Sequence, residues 1–178
     1  MANECFTQVR ILGEKKEISE VYEMLHNLED NGKNWLGDIV DALGGNHDEV
    51  YCRGDFENVD LISETEIGLD ERSAWRPMVE VWNFLQSIHD VEVYWIAEEG
   101  GCGYYATNDA EGKVFSERYE VYLGDSTEYF DTMEEVLKYA NELFKTSGLT
   151  EDLLMKIIKG SDHEYRLNEY QVADYNGY

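Results

Sequence analysis

The chain has 178 residues with 39 acids against 14 bases, a formal net charge of −25. At 43% hydrophobic and 13% aromatic it can bury a core, which excludes charge-driven disorder. The same charge excludes the basic footprint of a direct nucleic-acid binder and opposes adsorption to anionic membranes.

No apolar run reaches the roughly 18 residues that would cross a bilayer. The start, Met1-Ala2-Asn3-Glu4-Cys5, lacks the basic-then-apolar pattern of a signal peptide. Cys5, Cys52 and Cys102 cannot all pair and form no CxxC, so reduced thiols in a cytoplasm are expected. The acid excess runs through residues 1–124 and 125–178 alike, so it coats a folded body instead of forming a tail. Pro77 is the single proline and no Ser/Gly-rich stretch marks a linker. A division is expected near Gly124-Asp125, giving a domain over 1–124 and an extension over 125–178 packed on it.

Phe6 to Leu12 alternates and stops at Gly13, which suits a strand. Over 14–29 the period changes: Ile18, Val21, Tyr22, Leu25 and Leu28 share one helical face, and Asn31-Gly32 ends the helix. Residues 34–43 suit a short helix closed by Gly44-Gly45. Strands are expected over 50–63 and 65–69; in the second, Thr65, Ile67 and Leu69 face one way and Glu64, Glu66 and Asp70 the other. Pro77 at a first helical position introduces a buried helix carrying Val81, Trp82, Leu85 and Ile88. Val91 to Ala97 is the strongest strand. Asn108 to Gly112 reads as a hairpin turn between strands at 104–107 and 114–115, with a further strand at 118–123. The order is that of a split βαβ, a ferredoxin-like α+β fold with an antiparallel sheet and helices on one face. Beyond Asp125 the pattern is helical. Asp131 with Glu134 suggests a capping box before Met133, Val136, Leu137 and Ala140, and Thr150 caps a second helix.

Motifs of chemistry are few. Glu98-Glu99 follows the strongest strand, but neighbours on a strand point to opposite faces, which argues against a shared-proton pair. His26, His47, His89 and His163 show no zinc-helix spacing, and the His47-Asp48-Glu49 and Asp162-His163-Glu164 clusters read as polar loops. Gly101-Cys102-Gly103-Tyr104-Tyr105-Ala106 matches GxGxxA, but the expected strand at 104–107 stands where a dinucleotide site needs a helix. Cys102 has no neighbouring histidine, and nearby acids raise a thiol pKa. No catalytic residue, cofactor or metal is therefore assigned. The residual signal is the acid run Asp55, Glu57, Asp60, Glu64, Glu66, Asp70 and Glu71, which no base interrupts.

Four segments occur in a recognisable order: Asn3 through Gly13 with Glu14-Lys15-Lys16-Glu17; Asn34-Trp35-Leu36-Gly37; Ser73-Ala74-Trp75-Arg76-Pro77; and Tyr94-Trp95-Ile96-Ala97-Glu98-Glu99-Gly100. Across about residues 3–123 the chain resembles the YubB-like proteins of plasmids, phages and their bacterial hosts, which carry a ferredoxin-like domain. The chain has only Pro77 where that family is proline-rich, and its Glu98-Glu99-Gly100 turn lacks the family's proline. The resemblance implies a mobile-element context and supplies no catalytic residue. Trp35 and Trp75 are expected as structural aromatic anchors, with Glu98 and Gly100 forming a turn.

These readings combine into one expectation. The chain is a cytoplasmic, non-enzymatic inhibitor of a host defence complex, such as a CRISPR effector or restriction system. Glu64, Glu66, Asp70, Glu98 and Glu99 would engage a basic groove of that nucleic-acid-binding partner and mimic nucleic-acid charge. The alternative is a small-ligand-binding protein or enzyme built on the Glu98–Tyr105 turn.

Overall fold

The computed structural model describes residues 3–124, 126–162 and 164–173. It is a mixed α+β structure whose described residues form two compact units, 3–108 with Ala173 and Asp109–Val172.

In the first unit β1 (Glu4–Gly13) alternates strictly: Cys5, Thr7, Val9 and Ile11 are buried while Glu4, Phe6 and Gln8 are exposed. Its period of two places the apolar set on one face. Helix α1 (Lys15–Asp30) turns Ile18, Val21 and Leu25 inward. It ends where Gly32 takes a φ of 69°, a left-handed turn that glycine adopts without a Cβ clash. The chain continues through α2 (Leu36–Ala42), β2 (Gly54–Ser63), β3 (Glu66–Ala74), α3 (Val79–Ile88), β4 (Val91–Glu99) and β5 (Tyr104–Thr107).

The strands of this unit lie in the order β2-β3-β1-β4-β5, every neighbour antiparallel. In register, Thr7 stands opposite both Glu71 and Ala97, and Phe6 opposite both Arg72 and Glu98. The helices cover the face that carries Val9, Ile11, Ile67, Leu69 and Val93. Ile18, Leu25, Leu36, Val81, Trp82 and Leu85 complete that core. Burying each such side chain contributes roughly 1.5–3 kcal/mol relative to exposure.

Helix α3 begins at Val79 with Met78 as its N-cap, not at Pro77. The acceptor for its first amide comes from the sheet: the Met78 N–H donates to Glu71 Oε1 at 2.8 Å. β3 runs on to Ala74, past the end at Leu69 that its apolar residues suggest, because its remaining inward positions are Glu71 and Ser73.

The second unit contains β6 (Tyr119–Tyr122), β7 (Thr127–Phe130), α4 (Met133–Leu143), α5 (Glu151–Gly160), β8 (Arg166–Glu169) and the short β9 (Gln171–Val172). β7-β6-β8 form an antiparallel sheet, and Val121, Leu123, Val136, Ala140, Leu149 and Leu154 make a separate core. The segment after 125 is thus not purely helical, since β7 and β8 belong to it. The capping box of α4 is Thr132 with Glu135, one residue beyond the Asp131–Glu134 pair. Thr150 does cap α5, accepting from the Leu153 N–H.

The units part at Asn108/Asp109, where the sequence suggested a hairpin turn and placed the division later, near Gly124. Asn108, just past β5, bonds to β4, its Oδ1 accepting from the Trp95 N–H at 2.7 Å and its Nδ2 donating to the Val93 carbonyl at 2.8 Å. Asp109 turns the other way and accepts from the amides of Lys113, Val114 and Phe115. Those amides are committed to a carboxylate, so Val114-Phe115 forms no strand. Asp125, His163, Tyr175 and Tyr178 lie outside the described residues.

Candidate functional site

Alternation along β3 and β4 separates two pairs of consecutive acids. Asp70 and Glu98 stand on the helix-free face of the sheet, whereas Glu71 and Glu99 are buried on the helix-covered side. Register brings Glu66 to the helix-free face as well, since it pairs with Leu12, as Asp70 pairs with Gln8 and Glu98 with Phe6. Asp55 and Glu57 of β2 and Glu92 of β4 join them through their pairings with Arg72, Asp70 and Leu12. Three of the five acids singled out from sequence therefore share one surface.

The face is not uniformly negative. Arg72 reaches Glu57 at 2.7 Å and Arg10 reaches Glu66 at 3.6 Å. The Asn58 Nδ2 donates to Asp70 Oδ2 at 2.8 Å from a residue with φ 60° at an irregularity of β2. Glu64 does not extend the row, because it sits in the β2–β3 turn and pairs with Lys15 at the start of α1.

Glu99 is only 3% exposed. Burial alone would raise its pKa, but hydrogen bonds from Cys102 and Gly101 outweigh that and hold the carboxyl below its usual value. Its oxygens accept the Gly101 N–H at 2.9 Å and the Cys102 N–H at 2.7 Å. At Gly101 a Cβ would stand 2.6 Å from Asn3 Nδ2 and 2.8 Å from Glu99 Oε1, so only glycine closes this turn without displacement. Glu99 is thus spent on the backbone and is not presented to a partner.

Glu71 is fully buried, with Trp82 Nε1 donating to Oε2 at 2.7 Å beside the Met78 bond. Burial pushes its pKa up despite hydrogen bonds from Ser73, Met78 and Trp82 and the charge of Arg76. Burial, aided by Glu71, Glu99 and Glu98, pushes the Cys5 thiol up to about 12. Cys5 is inert in that state.

Cys102 is the exposed thiol of the three. Its hydrogen bond with Glu99 raises its pKa, followed by desolvation, while the Asn3 Nδ2 donates to the sulfur at 3.4 Å. A protonated thiol beside a carboxylate is a poor nucleophile. The described histidines are engaged elsewhere: His26 with Asp30, His47 with Asp41 and His89 with Glu17. As the glycine motif leads into β5 and not a helix, it builds no dinucleotide turn.

Two features escaped the sequence reading. Trp35 and Trp75 are not buried anchors but 38% and 46% exposed. Glu17, Glu20 and His89 bring their donor atoms within 4.8 Å of one another, although His89 is far away in the chain. Lys16 lies 3.7 Å from Glu17 and 3.5 Å from Glu20, supplying a cation to the same carboxylates. Only the i, i+3 spacing of the two glutamates was visible in advance.

No helix among the described residues is long and apolar enough to cross a membrane. No family model, curated protein or solved structure matches the chain.

Proposed function

We propose that this protein is an acidic binding module from a mobile element. It blocks a host nucleic-acid-handling defence complex, a CRISPR effector or restriction system, in the bacterial cytoplasm. The observation that carries this reading is the gathering of Glu66, Asp70 and Glu98 on one helix-free sheet face, bordered by Asp55, Glu57 and Glu92. Two-residue steps along a strand are roughly 6.7 Å and adjacent strands are about 4.8 Å apart, so the face offers carboxylates on a rigid lattice. A groove of Lys and Arg built for phosphates can meet such a lattice, with the pairing steered by long-range charge. Arg10 and Arg72 limit repulsion within the face until cations of the partner compete for Glu66 and Glu57.

The YubB-like, ferredoxin-like assignment belongs to the same proposal. Its ferredoxin-like part alone is supported by the chain order β1-α1-β2-β3-α3-β4, with α2 inserted, and by the spatial order β2-β3-β1-β4 with antiparallel neighbours.

The test is affinity capture from bacterial host lysate at low and moderate salt, using the full chain and its E66Q/D70N/E98Q variant. Capture of a nuclease or its guide complex is expected, lost as salt rises and lost in the variant. Capture of the same partner by both proteins, indifferent to salt, overturns the charge-mimic mechanism.

A ligand-binding or catalytic reading of the Glu98–Tyr105 turn is favoured only by the exposure of Cys102. Alkylation at neutral pH no faster than that of free cysteine would dispose of it.

A further inference from the structure

Carboxylates are abundant in this chain, yet donor sets close enough for one metal ion are rare in it. Among the described residues, Glu17, Glu20 and His89 are the one group of three histidine, cysteine or acidic side chains whose donor atoms all lie within 4.8 Å of one another. The two glutamates come from the first two turns of α1, where the i, i+3 spacing puts them on one side of the helix. His89 is the C-cap of α3, and the fold returns it to α1 so that its Nδ1 stands 3.0 Å from Glu17 Oε2.

Donors held at about 2.0–2.2 Å by one zinc-class ion stand about 3.0–3.5 Å apart, so the His89–Glu17 pair already has the required separation. The Glu20 side chain is 51% exposed, which gives its carboxylate room to close the remaining gap. The hydrogen bond with His89 outweighs desolvation and holds the Glu17 carboxyl below its usual value, so an ionised ligand is in place. A cation attends the cluster: Lys16 Nζ lies 3.7 Å from Glu17 and 3.5 Å from Glu20. Both distances are longer than a hydrogen bond and the lysine side chain is 79% exposed, so the ammonium is a displaceable counter-ion.

We propose that Glu17, Glu20 and His89 bind a divalent transition-metal ion of the zinc class, which staples the start of α1 to the end of α3. The imidazole sets the class: oxygen ligands alone suit magnesium or calcium, whereas a histidine nitrogen suits zinc. With the ion at Nδ1 the ring proton sits on Nε2, and Lys16 turns out to solvent. Three protein ligands leave a fourth position to water. The site lies in the helix layer and does not depend on the acidic-face reading.

The experiment titrates the untagged full chain with zinc chloride and, separately, calcium chloride, by calorimetry at moderate salt. Zinc is expected to bind at one ion per chain and to raise the thermal midpoint. E20Q and H89Q should each weaken zinc at least about tenfold while leaving calcium nearly unchanged. E20Q guards against a folding artefact: Glu20 makes an exposed pair with Lys16, so the metal-free thermal midpoint should stay where it is. K16Q should tighten zinc by about twofold to fivefold, the size of an exposed ion pair. K15Q makes the same charge change at a residue paired with Glu64 and should not. Zinc affinity unaltered in either E20Q or H89Q overturns the site. Zinc binding no tighter than calcium also overturns it, since that is diffuse attraction to a charge of −25. A K16Q gain matched by K15Q overturns the displacement of Lys16, and absence of saturable zinc binding overturns the whole proposal.

Discussion

Asp70 and Glu71, like Glu98 and Glu99, are chemically equivalent neighbours that the sheet sends to opposite fates. On the helix-covered side Glu71 holds the Met78 amide and the Trp82 indole, and Glu99 holds the amides of its own turn. On the other side Asp70 meets a single side-chain donor from Asn58, and Glu98 lies beside Phe6 in a row of mixed charge. The difference teaches that in so acidic a chain carboxylates cannot be ranked by local sequence. What separates them is whether the sheet turns each toward the helices, where Glu71 and Glu99 are buried, or away from them.

The largest effect should come from the buried side. Glu71→Ala strands two buried donors and is expected to cost roughly 2–5 kcal/mol in urea unfolding. Glu71→Gln keeps an acceptor and should cost less. The pH dependence has a definite sign. The folded pKa of Glu71 is raised, chiefly by burial, so the folded state keeps a proton that the unfolded chain loses near the ordinary value of 4.5. Its contribution is fully present below that value and is lost as pH rises through the higher folded pKa. Unfolding of E71Q measured from pH 4 upward should lack that decline; an identical slope in both proteins would contradict the assignment.

Asp109 in the second unit provides the opposite sign. Burial would raise its pKa, but the Phe115, Val114 and Lys113 amides and the charge of Arg118 hold it below its ordinary 3.8. Its stabilisation is present above that value and is lost as pH falls through the lower folded pKa. Asp109→Ala should cost about 2–4 kcal/mol by freeing three amides. Trp35, Trp75, Trp82 and Trp95, which are all the tryptophans, belong to the first unit. Tryptophan fluorescence should therefore report a later transition than far-UV circular dichroism in D109A, and coincident curves would show that the units unfold together.

On the helix-free face the energetic effect should nearly vanish. E66Q/D70N/E98Q is expected to change stability by no more than about 1 kcal/mol while abolishing partner capture, because these half-buried groups keep contact with solvent and each amide keeps an acceptor. The smallest effect is at Trp75, where glycine relieves the left-handed backbone but removes a half-exposed indole. The two changes should nearly cancel, leaving the thermal midpoint unlowered.

Much of the fold is legible wherever one face is apolar. The alternation Val9, Ile11 in β1 and the stripe Ile18, Val21, Leu25 in α1 read correctly because their periods differ. Thr150 reads correctly because a cap is a local hydrogen bond. β3 beyond Leu69 was not legible, since its inward residues Glu71 and Ser73 find their partners on the α3 side of the chain. β7 is not legible for a related reason: its half-buried face carries Glu128 with Phe130 and its exposed face Thr127 with Tyr129, so polar and aromatic residues share each face and no hydropathy alternation marks it. Large aromatics are usually buried, which is why Trp35 and Trp75 are expected from sequence as structural anchors. A turn pinned by Asn3 and Arg53 overrides that tendency at Trp75.

The sequence by itself determined the charge, the period of each strongly amphipathic element and the separation of Glu98 from Glu99, because these depend on composition and near neighbours. Only the tertiary structure decided which acids share a face, which are consumed inside, and that an indole is held in the solvent. Those outcomes depend on contacts between residues remote in the chain, such as Trp82 with Glu71 and Asn3 with Cys102 and Trp75. Burial and donor supply are set by such contacts, and they fix the role of each carboxylate here.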